Sequence, residues 1–158
     1  YSEPGGNWKR ITGVASMRID LYQVETVRIA TEQTALLDEA QQIILSGNKL
    51  SRLEQSGVLH ALQVLVENAI GKSKQLLKAA KEPVPISAYD SFDSLVRCGK
   101  VSQTDLEHWN SVIGLRNRIV HDYMNIDMKL VIQLIRDKQY LFISDFLCQP
   151  IPDLDLDR

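Results

Sequence analysis

The sequence predicts an all-α fold, an up-down helical bundle of four main helices plus a short helix. Three observations support it. Apolar residues recur at three- and four-residue steps over most of the chain, the spacing of amphipathic helices. Ser/Thr-x-x-Glu/Asp patterns stand where such stretches begin, and Gly or Pro where they stop. No run of alternating apolar and polar residues is long enough to argue for a strand.

A length of 158 residues favours one domain. Tyr1 to Ser16 hold Pro4, Gly5, Gly6 and Gly13 and keep no sustained period. Residues 1–16 therefore read as an N-terminal extension or an expression remnant. The bundle is expected over 17–150, and the Pro- and Asp-rich residues 151–158 as a flexible tail.

The first long helix is expected from Ile19 to Ser46, through Leu21, Val24, Val27, Ala30, Leu36, Leu37, Ala40 and Ile44, with Gly47-Asn48 as its stop. Ser51 and Glu54 make a capping box that opens a second helix running to about Ala80. Gly71 weakens that helix by about 1 kcal/mol relative to alanine, and Pro83 and Pro85 end it. Ser87 and Asp90 open a short helix through Phe92 and Leu95, with Gly99 at its C′ position. Thr104 and Glu107 repeat the start signal for a fourth helix bearing Leu106, Trp109, Val112, Ile113, Ile119 and Val120. Asp127 caps a fifth, from Leu130 and Val131 to Phe146.

Composition narrows the function classes. Hydrophobic residues are 44% and charged residues 24%, enough for an ordinary core without disulfide staples. Cys98 and Cys148 form no CxxC or Cys/His cluster and read as idle thiols in a reducing compartment. A net charge of −2 argues against a protein that coats nucleic acid non-specifically, while leaving room for a local basic site. The apolar stretches fall short of the ~20 residues a bilayer needs, and no secretory signal opens the chain, so the expected location is the cytoplasm.

Chemistry concentrates in Arg116-Asn117-Arg118-Ile119-Val120-His121-Asp122-Tyr123. On a regular helix Arg116 follows the stripe set by Trp109, Val112 and Ile113, so a permanent charge falls where an apolar residue belongs. Such local rule-breaking marks functional sites more often than chance. Tyr123 would lie about 20° from Arg116, His121 about 140° away and Arg118 about 60° from His121. Joining Arg116 and His121 at one phosphate then requires the helix to unwind near Asp122, or two copies to meet across a two-fold axis. Arginine offers a planar charged fork to phosphoryl oxygens, and histidine passes protons near neutrality. Such a pair can cleave RNA through the strand's own 2′-hydroxyl, with no metal in the scheme. The bland alternative is an Arg paired with a carboxylate inside a bundle, a His bonded at a helix end and a packed Tyr.

Gly114 to Tyr123, Gly-Leu-Arg-Asn-Arg-Ile-Val-His-Asp-Tyr, resembles the Arg-x4-His-x-Tyr signature of the HepT group within the HEPN superfamily. Helix order from about Met17 to Pro150 is similar to that family as well. The resemblance implies a HEPN-like homodimer and a metal-independent endoribonuclease, the toxin of a toxin–antitoxin system. Its implied partners are RNA and a cognate minimal nucleotidyltransferase antitoxin, which adds AMP to the motif tyrosine. Arg116 and His121 would be catalytic, Asn117 and Arg118 supporting, and Tyr123 the modified residue; no cofactor, metal or membrane is implied. AMP on Tyr123 would add bulk and negative charge beside groups that must receive an RNA phosphate. One departure stands out: relatives often carry an acidic residue one turn after a second-helix glutamate, whereas Glu67 here is followed by Gly71 and Lys72. Rival readings are a non-catalytic helical module that partners a nucleotidyltransferase, and a purely structural bundle.

Outside the motif, Lys72, Lys74 and Lys78 read as a solvated helix face, with an RNA-facing basic strip as the alternative. His60 and His108 read as structural or surface histidines. Glu67, if buried, is the best internal partner for Arg116 or Arg118. No Gly-rich phosphate loop is present in the sequence.

Overall fold

A computed structural model describes the backbone of residues 4–152 and the side chains of residues 18–152. Its elements are α1 (Pro4–Leu45), α2 (Arg52–Ala79), α3 (Ala88–Arg97), α4 (Gln103–His121), a 3-10 turn (Tyr123–Asn125), α5 (Met128–Arg136) and α6 (Leu141–Cys148). Among the described residues there is no strand, as the apolar spacing predicts. Residues 153–158 of the expected tail lie outside the described residues.

Helix α1 starts earlier than its apolar period announces. Pro4 is its first residue, a position where the missing N–H costs nothing. The buried face of α1 is set by Thr26, Ala30, Leu37, Ala40, Gln41 and Ile44. Leu21, Val24 and Leu36, expected in the core, are exposed on the opposite side. This helix carries apolar residues around much of its circumference, so period alone does not choose the face.

Local signals fix the other boundaries. The Ser51–Glu54 capping box forms in both directions, and Ser87 accepts from Asp90 N–H. The start of α4 belongs to Ser102, which accepts from Asp105 N–H, and not to Thr104. Two overlapping Ser/Thr-x-x-Asp/Glu frames compete there, and the first wins. Gly47 (φ +88°) and Gly99 (φ +74°) close α1 and α3 in left-handed turns. The expected fifth helix is two: Lys138 (φ +52°) breaks it, with Lys138 N–H bonded to Ile135 O and Gln139 N–H to Leu134 O. A lysine in that conformation carries no glycine signal in the sequence.

α2 runs through the middle, packed against α1, α3, α4 and α6. Its Leu62, Leu65, Ala69 and Leu77 are fully buried. An aromatic cluster ties α3, α4 and α6: Trp109 stacks on Phe92 at 4.3 Å and meets Phe146 edge-on at 4.9 Å.

Lys72 corrects the reading of the lysine cluster. It is fully buried and faces neither solvent nor RNA. Its ammonium donates to Phe146 O at 2.7 Å and Leu147 O at 3.1 Å, and also to Gln149 O. The helix partner of Phe146 O would be the N–H of residue 150, which is Pro150 and has none. Lys72 thus supplies the donor that proline withholds and closes the C-terminus of α6. Burial pulls its pKa down to about 8, against a smaller opposing effect of Cys148.

Candidate functional site

Arg116 sits on the core-facing stripe of α4, yet its side chain stays 27% exposed because it opens into a cleft between α2, α3 and α4. Its Nε donates to Glu67 Oε2 at 3.0 Å, and a second guanidinium nitrogen lies 3.0 Å from the same oxygen. Its remaining nitrogen donates to Asn117 Oδ1 at 3.0 Å. A guanidinium has five N–H donors, so the hydrogen-bond fork is oriented while donors remain for an incoming anion. Glu67, 36% exposed, is steadied in turn by Gln63 at 3.3 Å. Of the two arginines the sequence offers to Glu67, the fold pairs it with Arg116, and Glu67 is partly exposed rather than buried. The cleft, about 570 Å³, is also bordered by Lys74, Ser87 and Tyr89.

His121 is the last residue of α4 and is exposed. The helix unwinds at Asp122 (φ −148°, ψ 47°), whose N–H still bonds Arg118 O at 2.8 Å. Asn125 Nδ2 donates to Asp122 Oδ1 at 2.7 Å and steadies the turn. Tyr123 therefore leaves α4, and its expected 20° proximity to Arg116 does not hold. It is 47% exposed and borders a second cleft, of about 560 Å³, with Arg52, Gln55, Met124 and Met128. Arg118 faces a third groove, of about 490 Å³, between α4 and α5, with Leu115, Leu130, Leu134 and Phe142. Val120, expected on the apolar stripe, is exposed.

The motif is thus spread over three surfaces. Arg116 and Asn117 share one cleft, Arg118 faces another and Tyr123 a third, while His121, the last residue of α4, lines none of the three. Within one chain Arg116 and His121 stay apart by about 7.5 Å of helix rise and about 140° of rotation. His60 and His108 are exposed, the latter 5.8 Å from the Phe142 ring. Among the described residues no three His, Cys, Asp or Glu side chains gather as a metal-ligand group, and no helix is long and apolar enough to cross a membrane. Two cleft residues were missed. In the sequence Lys74 reads with Lys72 and Lys78 as a solvated helix face, and Tyr89 carries no signal of its own beside the Ser87–Asp90 cap.

The family model described as "Ribonuclease HepT-like" matches residues 30–148, a span that takes in every motif residue. This chain belongs to the HepT-like ribonuclease family. Within the family it is similar to the "mRNA nuclease HepT" of Shewanella oneidensis strain MR-1, with 26% identity over 99 residues, 61% of this chain and 74% of that protein. Two solved structures share the HepT-like fold. One is a tri-AMPylated Shewanella oneidensis HEPN toxin in complex with MNT antitoxin, at TM-score 0.69 and 20% identity, covering 80% of this chain and 96% of that one. The other is a toxin–antitoxin with AMP-PNP, at TM-score 0.68 and 17% identity, covering 80% and 97%.

Proposed function

We propose that this chain is a metal-independent endoribonuclease toxin, silenced when a cognate minimal nucleotidyltransferase adds AMP to Tyr123. The observation that carries the reading is Arg116: a guanidinium pre-oriented by Glu67 and Asn117, with donors left over toward an open cleft. In that scheme His121 takes the proton of the 2′-hydroxyl as its oxygen attacks the adjacent phosphorus. The bond from phosphorus to the 5′-oxygen breaks, and that oxygen leaves as a free 5′-hydroxyl by taking a proton from water. A 2′,3′-cyclic phosphate remains, and Arg116 holds the phosphoryl oxygens as charge builds. Asn117 and Arg118 support them. The family, the nuclease relative and the AMPylated structural neighbour favour the same reading.

The divergence of Arg116 and His121 within one chain favours a homodimer in which Arg116 of one protomer serves with His121 of the other. The largely apolar α4–α5 groove beside Arg118 suits a second copy, with Leu130 standing out at 70% exposure. RNA as substrate and a nucleotidyltransferase as partner support a cytoplasmic location. One observation favours a second reading: the Glu67–Arg116 pair is also what a non-catalytic module would keep as scaffold.

Purified protein incubated with RNA in excess EDTA separates the two. Cleavage by wild type and none by a still-dimeric His121→Ala supports the enzyme; intact RNA throughout hands the protein to the module reading. Co-expression with the nucleotidyltransferase should add whole AMP units to the chain and none to Tyr123→Phe.

A further inference from the structure

The Arg116 cleft holds more than the motif. Lys74 reaches it from α2, and its ammonium has a neutral partner, Ile86 O at 3.0 Å. Among the described residues no carboxylate pairs with it. One of its three donors is used and two are left. Glu67 already faces Arg116, so Lys74 leaves the cleft with one uncompensated positive charge. Tyr89, from the first turn of α3, lies on the rim with 40% of its surface exposed. Its hydroxyl lies close to Gly114 of α4, where a Cβ would stand 3.5 Å from the oxygen, an ordinary contact. A cation with free donors beside an accessible aromatic ring is the pairing that single-stranded nucleic acid uses, phosphate on the charge and unpaired base on the ring.

We propose that this cleft is a nucleotide subsite for the RNA strand next to the scissile linkage, with Lys74 holding a neighbouring phosphate and Tyr89 stacking its base. The proposal rests on the ribonuclease reading and adds to it where the strand lies and which residues outside the motif grip it. A duplex is excluded by the same feature, since a paired base does not offer its face to Tyr89. With the chain's net charge at −2, binding must come from this local patch.

The test uses a fluorescein-labelled, fully 2′-O-methylated single-stranded RNA, which binds without being cut. Anisotropy titrations across a salt series compare wild type with Lys74→Gln, Tyr89→Ala and Tyr89→Phe; Lys100→Gln, an exposed turn residue away from the cleft, is the control. Lys74→Gln should weaken binding about fivefold and flatten the log–log salt slope by about 0.7. Tyr89→Ala should weaken it about tenfold or more, with Tyr89→Phe close to wild type. In cleavage of unmodified RNA both cleft variants should raise KM and leave kcat nearly unchanged. If wild type cuts RNA but Lys74→Gln and Tyr89→Ala match it in affinity and slope, the subsite is wrong and the ribonuclease reading stands. If wild type neither binds nor cuts RNA, both fall together.

Discussion

Arg116→Ala separates a catalytic guanidinium from a structural one, because the two roles predict losses of different size in different assays. The pair it breaks is only partly buried, 27% exposed on the Arg side and 36% on the Glu side. Pairs with that much solvent contribute about 1 kcal/mol or less, and the lost packing of the side-chain stem adds a comparable amount. Glu67 keeps Gln63 and water, so no deeply buried charge is orphaned. A total near 1–2 kcal/mol lowers the melting temperature of a domain this size by about 2–8 °C. Loss of a positioned donor from a phosphoryl transition state costs far more, about 100- to 1000-fold in rate. The expected outcome is a folded variant that keeps the oligomeric state of wild type, with melting only modestly reduced and initial RNA cleavage rates in EDTA down by at least about 100-fold. Cleavage within threefold of wild type would refute the assignment. A fall of 15 °C or more with activity lost in proportion would make Arg116 a scaffold residue.

Three further outcomes test the fold itself. Lys72 in the folded chain releases its proton near pH 8, but in the unfolded chain near 10.5, so the unfolded state holds more protons between those values and stability rises with pH there. The difference between wild type and Lys72→Met in urea melts should therefore grow across that window, by up to ~3 kcal/mol; a flat difference would overturn it. Lys81, at φ +59° after α2, pays for a left-handed turn, and Lys81→Gly should stabilise the chain by about 0.5–1 kcal/mol in the same assay. Ser102→Ala should destabilise by about 1 kcal/mol, whereas Thr104→Ala should cost little, since Ser102 and not Thr104 caps α4.

What sequence could and could not convey follows from which interactions leave a side-chain signature. Caps at Ser51, Ser87 and Asp127 and glycine stops at Gly47 and Gly99 are local chemistry, and the helices obey them. Arg116 was readable as a misplaced charge because it falls on an apolar stripe, while Glu67 stayed open as a partner for either Arg116 or Arg118. The exposed face of α1 was not readable, because Leu21, Val24 and Leu36 look the same as its core residues until the neighbouring helices are placed. The break at Lys138 uses a residue with no strong stop preference. Unwinding near Asp122 was one of the two alternatives open in the sequence, but it falls after His121, so it carries Tyr123 off the helix without bringing His121 to Arg116.

The buried ammonium of Lys72 has a consequence for how this fold can drift. It reads main-chain oxygens at 146, 147 and 149, and those oxygens are present whatever side chains stand there. Substitutions at 147 and 149 can accumulate without any matching change at position 72, whereas Phe146, whose ring centre lies 5.4 Å from the ammonium, is also met through its side chain. A search for correlated substitutions would pass over the contact, and its one trace in the letters is an imino acid at position 150 that leaves an oxygen in need of a donor.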